Sequence, residues 1–293
     1  SPENFADQLE VISQIFPVVR LKTVCRNPLS IDRPSPWIAI TFDDGYEDNY
    51  SVARKILKDY ELPATFYIVS GHIDSIKSYW WDELAQVFLS PGVLPSLNSF
   101  SIDLDVTENE WQRASIFTYE EYDKFKNWRW EDNEPTGRHK LFQKVYLALR
   151  KMTEEERGEF LGVINKNIEK IQQNSSGRLL MNSEEVKLIA QETLFDIGAH
   201  TVTHPDLEML SRTEKFHEIS ESKKNLEQRI ETSIDSFSYS YGIKSEETAR
   251  IVEQAGFTCA CSVADGVVNK FTDPYLLPRF IVKNWNANIF RDQ

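Results

Sequence analysis

The stretch ITFDDGYEDNY, residues 40–50, runs from apolar residues into two adjacent carboxylates and a glycine. A strand that merely stops needs one turn residue. Asp43 and Asp44 instead set two like charges side by side, which costs electrostatic energy unless water, a cation or a proton offsets it. Upstream, WIAITF (37–42) is short, apolar and rich in strand formers. Downstream, YEDNYSVARKILKDY (46–60) carries apolar residues at helical spacing, and ATFYIVS (64–70) has the composition of a second strand. This β, α, β order with short connections predicts an α/β fold, a parallel sheet covered by helices.

The alternation resumes late in the chain. A helix is expected over 183–192 with Ser183 as N-cap, then strand 194–200, helix 212–231, strand 236–242, helix 245–256, strand 257–263 and a last strand, YLLPRFIV, over 275–282. Residues 78–180 break the pattern with Trp-rich, charged, mostly helix-like text. They are read as a helical insertion on the sheet's edge or rim within a single domain spanning 1–293, with a separate domain as the alternative.

Composition sets outer bounds. With 293 residues, 41% hydrophobic and 27% charged, the chain has the make-up of a folded, enzyme-sized body. A formal net charge of -13 and the lack of a Lys/Arg stripe argue against a nucleic-acid partner. No run approaches the roughly 18 apolar residues of a transmembrane segment. The chain opens on Ser1, so a removed signal or anchor is left open. Cys25, Cys259 and Cys261 have no framework spacing. Buried free thiols are expected, which leans to a reducing, cytoplasmic setting in a bacterial-type protein.

In parallel α/β architectures, reacting groups collect at the carboxyl ends of strands. Asp43 and Asp44 end one strand. His200 ends another in GAHTVTHPDL (198–207), and His204 follows at i+4, which on a helical turn puts both imidazoles on one side. One carboxylate and two imidazoles form a His-His-Asp metal site with open positions, leaving the second carboxylate as a base. The cation would offset the paired charges.

TFDDG (41–45), HTVTHP (200–205) and SYSYG (238–242), in that order on βα units, resemble the polysaccharide deacetylase or NodB-homology family of carbohydrate esterases. The resemblance covers 37–73 and roughly 183–282, and the insertion is similar to that of members carrying WWD, here Trp80-Trp81-Asp82. It implies an incomplete or distorted (β/α) barrel, with Asp43 as catalytic base and Asp44, His200 and His204 as ligands of a divalent metal, zinc by family habit. It also implies that the backbone N–H of Tyr241 supports an oxyanion. The implied activity is removal of acetyl groups from N-acetylated or O-acetylated sugars of a cell-surface glycan or its precursor, polymeric or lipid-linked.

Departures from the family pattern carry their own expectations. Ser238 stands where members often have an arginine, Ser240 where they have a proline, and no histidine follows His217 to serve as the late acid. Arg279 is a candidate for the missing arginine, set against an ordinary packing role. His72, or Asp43 once protonated, is a candidate proton donor. Trp80 and Trp81 are read as sugar-stacking or core-anchoring, Asp82 as a sugar contact or helix cap, and His139 and His217 as packed or solvated. Two other functions stay open: hydrolysis of another non-peptide C–N bond, of deformylase or cyclic amidase type, and glycan binding without catalysis.

Overall fold

A computed structural model describes residues 1–26, 36–166, 179–242 and 245–292. The chain divides into two compact units, Ser1–Ile76 with Arg178–Gln293, and Lys77–Gly177. Among the described residues the strands are β1 (Ile40–Phe42), β2 (Ala64–Ile68), β3 (Gly92–Val93), β4 (Ile116–Phe117), β5 (Phe195–Ala199), β6 (Ser236–Ser238) and β7 (Cys259–Cys261).

The first unit is an incomplete (β/α) barrel. Its sheet has the order β1-β2-β5-β6-β7. Every pairing is parallel, with registers such as Ile40↔Ala64, Ala64↔Phe195 and Ser236↔Cys259. All five residues of β2 are buried, as a central strand covered on both faces requires. Phe66, Ile68, Phe237 and Ala260 meet Leu57, Val186, Ile189, Ile219, Leu226 and Val252 from the surrounding helices in one core. Phe66 is fully buried, and such burial contributes about 1.5–3 kcal/mol. Gly198 in β5 is required by contact: a Cβ there would stand 2.3 Å from the Tyr67 ring.

Several sequence expectations are corrected locally. The helix 183–192 runs Ser183–Gln191, but its cap is Asn182, whose side chain accepts from Glu185 N–H in a reciprocal capping box. Ser183 instead donates to Asp74. The predicted helix over 46–60 is a π-helical turn, Asn49–Ala53, followed by an α-helix, Arg54–Asp59. Residues 275–282 form no strand. They make a single parallel bridge, Cys261↔Leu277, because the next donor toward β7, Arg279 N–H, bonds the Ala264 carbonyl at 3.0 Å instead of continuing the ladder.

The cysteines also differ from expectation. Cys25 and Cys259 form a disulfide, and only Cys261 is a free, buried thiol. Leu21, on the helix Leu21–Arg26 that carries Cys25, packs with Tyr67, Cys259, Cys261 and Leu277. The partners are 234 residues apart, so no local spacing could signal the bond. Its presence removes the ground for the lean to a reducing compartment.

The second unit buries its own core of Leu84, Phe88, Trp111, Leu141, Val145 and Phe160. It is mainly helical, with β3 and β4 as an antiparallel pair. The end of the predicted helical text, 167–171, lies outside the described residues. Among the described residues no helix is long and apolar enough to cross a membrane.

Candidate active site

β1 stops at Phe42, and two successive left-handed residues, Asp44 (φ 73°) and Gly45 (φ 73°), turn the chain sharply after it. The two neighbouring carboxylates thereby enter separate networks. Asp43 receives a two-pronged hydrogen bond from Arg279, Nη1 to Oδ1 at 2.8 Å and Nη2 to Oδ2 at 2.7 Å. Ser238 Oγ donates to Oδ2 at 3.1 Å and accepts from Arg279 Nη2 at 3.0 Å. The guanidinium is fixed further by Nε donating to the Ser262 carbonyl at 2.9 Å and Nη1 donating to Thr41 Oγ1 at 3.0 Å. Such charge-assisted, bidentate pairing is among the strongest and most directional in proteins.

Electrostatics follow from this geometry. Burial pushes the Asp43 carboxyl up, but the Arg279 charge and its hydrogen bonds outweigh burial and hold the carboxyl below its ordinary value. Arg279 in turn is held above its ordinary value: burial opposes its charge, and Asp43 more than compensates. Asp43 is therefore an oriented, ionised carboxylate. Ser238 makes this possible, since a small buried side chain at the end of β6 leaves space for a guanidinium arriving from position 279.

Asp44 faces the histidines. Its Oδ1 lies 3.3 Å from His200 Nε2 and 3.3 Å from His204 Nε2, and both rings are buried. His200 Nδ1 is 2.7 Å from the Ser238 carbonyl. A carbonyl only accepts, so Nδ1 carries the hydrogen, and in the neutral ring Nε2 presents its lone pair to the site. Burial pushes the His200 imidazole down but its bond to Asp44 lifts it above its ordinary value. His204 is lowered by burial, and Asp44 is pulled well down by the two imidazoles despite burial.

The i, i+4 pair is not on a helical turn. Residues 200–206 are irregular, and left-handed backbone at Thr201 (φ 66°) and His204 (φ 57°) brings the rings to 4.8 Å between centroids. Thr201 Oγ1 accepts from His204 N–H at 3.0 Å, and Pro205 follows at once, which disfavours helix at His204. Tyr241, also left-handed at φ 57°, sets its ring edge-on to His204 at 4.7 Å.

The donor set fits a metal ion. One carboxylate oxygen and two imidazole nitrogens lie within 4.8 Å of one another. A separation of 3.3 Å is long for a charge-assisted hydrogen bond, which prefers about 2.7–2.9 Å. Two ligands held roughly 2.0–2.1 Å from a common tetrahedral ion stand about 3.3 Å apart.

The remaining sequence candidates separate by position. His72 ends the turn Ser70–His72 and lines a shallow recess with Asp44, Gly45, Ile68 and Met181. His139 is buried in the second unit against the edges of Phe117, Phe125 and Trp128, and His217 is exposed on the helix Arg212–Ile230. Trp80 packs on Tyr146, and Trp81 stacks on Tyr79, within the second unit. Asp82 is not a cap: that helix starts at Trp80 with Tyr79 before it, which places Asp82 in the first turn. Sequence reasoning treated Ser238 only as a missing arginine and passed over Thr41. Their position at strand ends was the available signal.

Comparison with known proteins agrees with this architecture. The polysaccharide deacetylase family profile matches residues 30–93 and 148–260. No curated protein matches the chain. Among solved structures, the Streptococcus pyogenes deacetylase PplD in complex with acetate superposes with a TM-score of 0.59 at 16% identity, covering 99% of this chain and 85% of that one. IcaB from Ammonifex degensii gives 0.58 at 15% identity, covering 97% and 84%. BC0361, a polysaccharide deacetylase from Bacillus cereus, gives 0.58 at 13% identity, covering 100% and 61%. At these identities the likeness speaks for the fold.

Proposed function

The chain belongs to the polysaccharide deacetylase family, and from that premise we propose that it is a metal-dependent hydrolase removing acetyl groups from N-acetylated or O-acetylated sugars of a cell-surface glycan or its precursor. Residues 1–293 act in this reading as one catalytic domain, with the helical stretch at about 78–180 as its insertion. The observation that carries the proposal is the division of labour between neighbours: Asp44 converges with two imidazoles, while Asp43 is held away from them by Arg279.

Asp44, His200 and His204 would hold the ion, zinc being favoured by the nitrogen-rich ligand set. When bound, it would polarise the acetyl carbonyl and the attacking water. Asp43 takes the proton from that water as its oxygen adds to the carbonyl carbon, and Arg279 keeps the carboxylate ionised and aimed. The Tyr241 backbone N–H donates to the oxyanion as charge develops there. Asp43 then returns its proton to the leaving nitrogen, the C–N bond breaks, and acetate and a free amine depart. No late histidine is needed in this scheme.

Elemental analysis after zinc loading tests the first half. About one ion retained per chain and lost in His200→Ala supports the three-ligand site; absence of retained metal in the wild-type chain rejects it. For the second half, Asp43→Asn should keep the metal and lower acetyl release from N-acetylated oligosaccharides by about a hundredfold or more. Undiminished release would remove Asp43 from its role. Exclusive turnover of formyl or cyclic amides would move the chain to the other C–N hydrolase reading.

A further inference from the structure

The loop that carries the histidine pair is held by a group outside the three-ligand set. Glu218, on the helix Arg212–Ile230, is only 9% exposed. Its Oε2 accepts from the backbone N–H groups of Val202 at 2.8 Å and Thr203 at 2.9 Å, and its Oε1 accepts from Thr203 Oγ1 at 2.9 Å. Among the described residues no cation pairs with this carboxylate. Its charge is met instead by successive amide dipoles beside the left-handed Thr201, the arrangement of a backbone anion nest.

The opposite side of the loop is pinned as well. Ser70 N–H donates to the Thr201 carbonyl at 3.1 Å and Gly71 N–H to the Val202 carbonyl at 2.9 Å. A Cβ at Gly71 would stand 2.6 Å from that Val202 oxygen, so the approach is as close as a glycine allows. The segment between His200 and His204 is thus clamped from the helix on one side and from the end of β2 on the other. Its left-handed residues would otherwise relax toward ordinary backbone, carrying the imidazoles apart.

We infer that Glu218 is a positioning residue for the metal site, fixing the spacing of His200 and His204 by holding the amides between them. The inference rests on the proposed reading of Asp44, His200 and His204 as ligands. A carboxylate serving the fold alone would change stability and leave metal binding untouched, and the two roles separate on that point.

Apo protein titrated with Co(II) against a chromophoric chelator, with the visible cobalt absorption recorded, gives the readout. Glu218→Leu, folded by far-ultraviolet circular dichroism, should bind about tenfold more weakly or worse, with an altered cobalt spectrum. Glu218→Gln keeps an acceptor oxygen for both amides and should stay close to wild type in affinity and spectrum. If Glu218→Leu does not fold, Glu218→Asp decides: a side chain one methylene shorter cannot reach both amides and the hydroxyl, and weaker cobalt binding is expected. Wild-type affinity and spectrum in whichever of these two variants folds would overturn the clamp alone. A wild-type chain that binds neither cobalt nor zinc would overturn the ligand reading and the clamp with it.

Discussion

Asp44, Thr201, His204 and Tyr241 share left-handed backbone without being glycine, a conformation costing on the order of 1 kcal/mol or more each. Such strain persists only where surrounding bonds over-determine it, and at Thr201 and His204 the hydrogen bonds of Thr201, Glu218 and Ser238 do so. Arg279 plays the matching part for charge. Replacing it with methionine leaves the half-buried Asp43 without its cation, so its pKa rises and the acidic limb of kcat/KM moves to higher pH; an unmoved limb in a pH-rate profile would reject Asp43 as the titrating base. Stability follows the same sign. Because folded Asp43 lies below its ordinary value of 3.8, its pairing stabilises the chain above that pH, and the contribution fades as pH falls through the folded value. Asp43, Asp44, His200 and His204 were legible because each pair is close in sequence and ends a strand. Arg279 was legible only as one candidate among two roles, and Glu218 not at all, since a glutamate in the charged run HEISES looks like any solvated one.

At the scale of elements, the long periodic segments were readable and the short irregular ones were not. The helix Arg212–Ile230 and the fully buried β2 stand within a residue or two of their expected places. β6 and β7 are three residues each and pair only briefly, so their predicted spans ran on into the turns that follow them. The misreading of 275–282 as a strand has the same root: its apolar text is spent on one bridge and on delivering Arg279. The disulfide ties a helix near the start of the chain to β7, and cross-linking residues so far apart restricts the unfolded ensemble strongly. Reduction, or Cys25→Ser, should lower stability by about 2–4 kcal/mol in urea denaturation. Equal midpoints with and without reductant would mean that the bond contributes nothing in solution. Cys261 should stay unreactive toward thiol reagents in the native chain, since burial raises its thiol.

For the whole molecule, the two compact units bury separate cores, with the three candidate ligands and Glu218 all in the barrel unit. A ligand that binds only the folded form stabilises whatever unfolds together with its site, by about 2.7 kcal/mol at roughly a hundredfold excess over Kd. Multi-unit chains need not unfold in one step. Differential scanning calorimetry of the apo chain should therefore resolve two transitions, and zinc should raise the Tm of one and leave the other in place. His200→Ala should keep both transitions and abolish the zinc shift. A single transition that moves as a block with zinc would show instead that the insertion and the barrel unfold cooperatively, so that residues 1–293 behave as one thermodynamic domain despite their separate cores.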